Sequence, residues 1–168
     1  MNTLDLQTLR KSAIEKLLSR NRNVLAAYLV LIDSNQQILL YKRHNTGFCD
    51  NRYSLVAGHV EKHESILEAL IRETSEESGI RLREEDLTQM TAVHRFSYLG
   101  DILDFFVLCK KWEGQIQNLE PEKCAELRFF PLSALPADLI PYVRVGVESV
   151  VKNIPYVVYG WDDVDRAL

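Results

Sequence analysis

Glu73, Glu76 and Glu77 stand at positions i, i+3 and i+4, so on an α-helix their carboxylates share one face within a single turn. Like charges at this spacing repel by about 0.2–0.5 kcal/mol per pair, and a purely structural helix gains nothing in exchange. A hard divalent cation reverses the sign. Magnesium takes oxygen ligands in an octahedron, keeps several waters, and is typically held by clustered carboxylates together with substrate phosphate oxygens. Arg72, four residues before Glu76, can fix a carboxylate rotamer through a charge-assisted bond. Ala69, one turn before Glu73, leaves that face free of bulk.

The helix that must carry these residues has clear punctuation. Ser65 followed three residues later by Glu68 forms a capping box, and Gly79 supplies the stop. Between them Ile66, Leu67, Leu70, Ile71 and Thr74 recur at helical spacing and form the face expected to pack on the rest of the domain. A glycine loop, Gly58-His59-Val60-Glu61-Lys62-His63-Glu64, feeds this helix.

The stretch resembles the Nudix box, the signature of the Nudix hydrolases, G-x5-E-x7-R-E-U-x-E-E-x-G-U with U a large aliphatic residue. Gly58, Glu64, Arg72, Glu73, Glu76, Glu77, Gly79 and Ile80 all fall on that pattern, across residues 58–80. Seven fixed identities at average residue frequencies arise in a random window only about once in 10⁸. Two positions depart from it. Thr74 stands where an aliphatic residue is usual, and Ala57 precedes Gly58 where the family more often has a second glycine.

The resemblance implies Mg²⁺, with Mn²⁺ as a substitute, held by Glu73, Glu76, Glu77 and the carbonyl of Ala57 or Gly58. Glu64 looks like the family's loop glutamate, which serves a second metal or its waters; a salt bridge to Arg72 is the alternative. Arg72 would orient the carboxylates. Proton acceptance by Glu76 or Glu77 is one reading of the base. Glu120, Glu122 and Glu126, where several Nudix enzymes place a catalytic glutamate, are another, with Glu126 favoured.

Further resemblance lies in Asn45-Thr46-Gly47-Phe48, Glu120-Pro121-Glu122-Lys123-Cys124, Phe129-Phe130-Pro131-Leu132 and Leu135-Pro136, which look like a bacterial MutT-like subgroup over most of residues 24–145. It implies hydrolysis of a nucleoside diphosphate linked to another moiety, foremost a (d)NTP giving (d)NMP and pyrophosphate, with oxidised nucleotides among the substrates. Dinucleoside polyphosphates, to which Tyr98 points, and nucleotide sugars are alternatives. A nucleotide sensor without turnover is opposed by the complete carboxylate set. A prenyl diphosphate isomerase would need Cys49, which no surrounding motif supports.

The composition fits this reading. A chain of 168 residues, 46% hydrophobic and 26% charged, supports one domain over 1–168 with its own core. A net charge of −4 and a pI near 5.6 oppose nucleic-acid duplex binding, which relies on clustered Lys and Arg. A small-molecule nucleotide remains the expected partner. Cys49, Cys109 and Cys124 are odd in number and lack metal-ligand spacing, so they read as reduced thiols. The longest apolar run, 24–32, is far too short for a membrane span, and no signal peptide is visible at the N-terminus; a cytoplasmic location is expected.

Leu6, Leu9, Ala13 and Leu17 mark an amphipathic helix over 4–19, within an N-terminal extension of 1–22 that would cover the sheet or a partner subunit in a homodimer. Residues 24–32 and 37–42, separated by Asp33-Ser34-Asn35, read as a hairpin. Residues 53–57 read as one strand, 87–98 and 102–112 as a strand pair around Leu99-Gly100-Asp101, 127–132 as a short strand, and 138–151 as a helix. The sum is an α+β fold, an α/β/α sandwich with a mixed sheet and a central catalytic helix, as the resemblance also implies. Phe48, Tyr53, Phe96, Tyr98, Phe129 and Phe130 are candidates for stacking on a base, with core packing the better reading of any single one. His59 and His63 lack the H-E-x-x-H spacing of a helical zinc site and read as surface or substrate-edge residues.

Overall fold

The computed structural model describes residues 23–97 and 100–161; the expected helix over 4–19 and Tyr98 lie outside them. Strand β1 (Val24–Leu31) is apolar along nearly its whole length, and from Ala26 onward it is buried on both faces. Such a strand belongs in the middle of a sheet covered on both sides. It pairs in parallel with β6 (Gly100–Cys109) and antiparallel with the short β4 (Ala57–His59). Beyond β6 lie β5 (Leu87–Ser97) and β8 (Tyr156–Tyr159), giving the order β4-β1-β6-β5-β8. A second sheet, β3-β2-β7, comprises Tyr53–Ser54, Gln37–Arg43 and Cys124–Pro131.

Alternation along β1 creates two cores. Ala27, Leu29 and Leu31 pack with Ala69 and Leu70 of helix α1 (Ile66–Ser78). Tyr28 and Val30 pack with Phe106, Val143 and Val147 under helix α2 (Pro141–Val151). Helices on both sheet faces make the expected α/β/α sandwich. Gly146 lets α2 approach closely, since a Cβ there would lie 2.4 Å from ring atoms of buried Phe106.

Several sequence expectations are corrected. The turn after β1 forms, with the Asp33 carboxylate accepting from the N–H groups of Asn35 and Gln37 at 2.9 and 2.8 Å. The flanking strands do not make a hairpin: beyond the Ile32–Ile38 bridge they diverge into separate sheets. Turn residues specify a reversal, whereas the two-sided apolar surface of β1 demands two covering layers. Residues 53–57 split between β3 and β4, β7 begins earlier than expected, at Cys124, and α2 starts at Pro141. Strand β8 was not anticipated at all.

The capping box of α1 is present as expected, and Gly79 closes the helix in the left-handed region with φ 70°. The expected stripe faces inward, with Leu70 and Thr74 buried and Ile66, Leu67 and Ile71 packed half-buried against the same core, and Ala69 and Ser78 are buried beside it. Ala69 therefore faces the core and not the carboxylate side. Thr74 is fully buried and its hydroxyl has no hydrogen-bond partner among the described residues. A stranded buried hydroxyl costs about 1–3 kcal/mol, so Thr74→Val is expected to raise stability by about 1 kcal/mol in urea unfolding. A loss of stability would show that the hydroxyl is satisfied in solution.

Candidate active site

Register places the glycine loop against the acidic helix. In β4, Ala57 and Gly58 pair with Tyr28 and Ala27 of the rigid central strand. The Ala57 N–H donates to Glu77 Oε2 at 3.2 Å. A Cβ on Gly58 would fall 1.9 Å from the Glu73 carboxyl carbon, so only glycine lets that carboxylate lie against the backbone. Glu73 and Glu77 are thus brought together on the Ala57–Gly58 segment, while Glu76 sits on the same helix face, more exposed.

Arg72 ties the outer carboxylates. Its guanidinium grips Glu64 through two bonds of 2.8 and 3.0 Å and reaches Glu73 at 2.7 Å and Glu76 at 3.3 Å. It also donates to the His59 carbonyl at 3.2 Å. These bonds hold the Glu64 carboxyl down to about 2, with help from the Glu61 N–H. Glu64 here makes the salt bridge that was the alternative reading. Among the described residues, no three acidic, histidine or cysteine side chains are gathered closely enough to enclose an ion as they stand.

Glu77 has a different environment. Burial pushes its carboxyl up from 4.5 to about 8, and the charges of Glu120 and Glu73 push the same way; the Ala57 N–H and Lys123 oppose them. Glu120 pairs with Lys123 at 2.6 Å. Glu126 lies on β7 with both oxygens engaged, one by the Tyr53 hydroxyl and the other by Arg128 Nε at 2.6 Å.

On the other side of Ala57–Gly58 a cavity of about 490 Å³ opens, walled by Phe48, Tyr28, Tyr142, Arg43 and Arg95, with His59 at its edge. Arg43 is fixed by donating to the Phe48 carbonyl and Thr46 Oγ1 at 2.7 and 2.9 Å. Asp50 locks the same loop by accepting from Thr46 and Gly47. Arg95 lies 4.1 Å over the Tyr142 ring and forms an ion pair with Asp104, a fully buried carboxylate whose second oxygen has no partner among the described residues. Of the expected aromatics among the described residues only Phe48 lines this cavity; Tyr53 packs edge-on to Phe130, Phe129 stacks with Trp112, and Phe96 lies against Trp161. Arg95 and Asp104 were missed, though an acid inside the apolar run Ile102 to Phe106 is a visible signal.

The oxygen-only donor set of Glu73, Glu76, Glu77 and the adjoining carbonyls suits a hard cation, and the space that a Cβ on Gly58 would fill holds one of its carboxylates. The NUDIX domain family model matches residues 22–149. No match was found among curated proteins. The fold is similar to a MutT NUDIX hydrolase from Burkholderia pseudomallei, at 24% identity and TM-score 0.67 over 77% of this chain and 99% of that one. It is also similar to a MutT protein from Methanosarcina mazei Go1, at 19% identity and TM-score 0.66, covering 80% and 97%. A bifunctional NMN adenylyltransferase/ADP ribose pyrophosphatase from Francisella tularensis matches at 16% identity and TM-score 0.65 over 89% of this chain but 46% of its own. With the family model spanning most of its length, and the box residues set on helix and loop as above, the chain belongs to the Nudix family and is a pyrophosphohydrolase acting on nucleoside diphosphates linked to a further moiety.

Proposed function

We propose that the protein hydrolyses nucleoside triphosphates, (d)NTP to (d)NMP and pyrophosphate, with oxidised nucleotides in its range. The observation that supports this most is the cavity beside Ala57–Gly58. Its volume of about 490 Å³ suits a nucleoside, and it adjoins the carboxylate face where a diphosphate would lie. Phe48 and the two tyrosines offer aromatic surface for a base, while Arg43 and Arg95 offer donors to its carbonyl oxygens.

In this reading Glu73, Glu76, Glu77 and the carbonyl of Ala57 or Gly58 hold Mg²⁺ or Mn²⁺. The bound cation would neutralise phosphate oxygens and acidify the attacking water. The chain's own residues do the rest. Arg72 presets the rotamers of Glu73 and Glu76, and the Ala57 N–H presets Glu77. Glu64, fully committed to Arg72, acts by fixing that arginine. For the proton acceptor we favour Glu120 over Glu126. Its charge acts on Glu77, whereas both oxygens of Glu126 are bonded elsewhere. The free thiols Cys49, Cys109 and Cys124 support a reducing, cytoplasmic setting.

Water attacks the α-phosphorus in this scheme: the new P–O bond forms there, the bond from that phosphorus to the bridging oxygen breaks, and pyrophosphate leaves. Hydrolysis of a dNTP in ¹⁸O-labelled water is expected to place the label in the monophosphate, read by mass spectrometry. Label confined to pyrophosphate means β-attack and rejects the assignment. Orthophosphate as the first product means γ-attack and rejects the reaction itself.

A further inference from the structure

Behind the cavity wall lies a charge that stability alone does not explain. Asp104 is fully buried in the middle of the five-stranded sheet, with Ile102 and Phe106 as its buried neighbours along β6. Its Cα partner in β1 is Ala26, and Ile102 pairs with Arg95 of β5; Ala26, Ile102 and Arg95 all line the cavity. A buried ion pair is often no more stable than apolar residues of similar volume, because both charges have been taken out of water. Here the cost is higher still, since the second oxygen of Asp104 has no partner among the described residues.

What the pair does is fix a guanidinium. Asp104 accepts from Arg95 Nε, and the Tyr142 ring covers one face of the group at 4.1 Å. The Tyr142 hydroxyl lies 3.2 Å from that of Tyr28, whose ring stacks on Phe106 with centroids 4.7 Å apart. One residue from each of β6, β5, α2 and β1 thus sets the plane of the group, and its two terminal nitrogens have no acceptor among the described residues. Arg43 and Arg95 both act electrostatically on the Tyr142 hydroxyl, so the two guanidiniums face one end of the cavity. Among the described residues no carboxylate or amide side chain lines it. We propose that Arg95 selects the base of the substrate, favouring an exocyclic oxygen at purine position 6 or pyrimidine position 4 over an amino group there, and that Asp104 positions Arg95 for this choice. The assignment rests on the hydrolysis of nucleoside triphosphates proposed above. A guanidinium only donates, so an oxygen completes its bonds, whereas an amino group sets N–H against N–H and leaves both unpaired in a closed site. A mismatch of this kind separates substrates more sharply than a difference in size.

Steady-state kinetics on the full-length protein with Mg²⁺ test this. For the parent, kcat/KM with dGTP and dTTP is expected to exceed that with dATP and dCTP at least ~10-fold. Arg95→Met is expected to bring the ratio to within about twofold of one, since the donors are gone. Asp104→Asn keeps the shape but not the charge that holds Nε, and is expected to cut the ratio at least ~3-fold through KM. The double variant is expected to show the ratio of Arg95→Met alone, because Asp104 acts through Arg95. Should Asp104→Asn fail to fold, Asp104→Glu takes its place: it keeps the ion pair, shifts the guanidinium, and is expected to lower the ratio in the same way. A parent ratio near one, a ratio that survives Arg95→Met, or an Asp104 variant in which all four substrates lose rate alike overturns the proposal. Equilibrium binding of dGMP, dTMP, dAMP and dCMP separates it from the reaction. The same preference in Kd, with no triphosphate turned over, rejects the hydrolysis and supports the role of Arg95; turnover without discrimination does the reverse.

Discussion

Stripped of divalent cations with EDTA, the protein is expected to lose turnover down to the uncatalysed background and to regain it with Mg²⁺ or Mn²⁺. The reason lies in charge. The phosphates of the substrate would approach a face formed by Glu73, Glu76 and Glu77, and Arg72, the cation bonded to that face, is already shared among Glu64, Glu73 and Glu76. Anion meets anion there unless a cation intervenes. Binding also has a readout independent of turnover. An ion at 100 times its Kd stabilises the native state by about 2.7 kcal/mol, which a thermal melt resolves. Full activity in metal-free protein, or a melt indifferent to Mg²⁺, would remove the cation from this site.

Glu77→Gln is expected to lower kcat at least ~10²-fold with the fold intact, the scale of losing one preorganised electrostatic contact. The amide can still accept from the Ala57 N–H, so the loop has no reason to move. Stability supplies the control. The Glu77 carboxyl is raised from 4.5 to about 8 in the folded, metal-free chain, so between those values the folded state holds a proton that the unfolded state has released. Stability from this group is therefore complete below about pH 4.5 and declines as pH rises toward 8. The glutamine variant lacks that titration and is expected to melt above the parent in metal-free buffer at pH 8. An unchanged kcat would move the chemistry elsewhere, and a lower melt would deny that Glu77 is desolvated.

The sequence disclosed the helix and its chemistry because both are local. Ser65, Glu68 and Gly79 specify the ends of the thirteen-residue α1, and the carboxylate face follows from helical geometry alone. What it concealed is long-range. Nothing near Asp33 says that β1 and β2 part into different sheets, and nothing near Glu77 says that Glu120 comes to act on it. Ala69 is equally small whether it clears room for a ligand or fills a core, and only packing decides. The cavity beside Ala57–Gly58 draws on β1, β2, β4, β5, β6 and α2, so no window of sequence contains it. Arg95 and Asp104 could be suspected as charges in apolar strands, but their pairing across β5 and β6 is a property of register.

The pairing of β1 bears on how the molecule is made. Its long parallel partner β6 begins at Gly100, after the whole acidic helix, and its remaining partner β4 is three residues long. During synthesis the Nudix box leaves the ribosome while the strand that backs it still lacks most of its hydrogen bonds. Loop closure between Val24 and Ile102 is entropically costly and comes late, as non-local contacts do. A nascent chain ending before Gly100 therefore exposes a two-sided apolar strand whose long parallel partner has not yet been made. Such a chain is a natural client for chaperones.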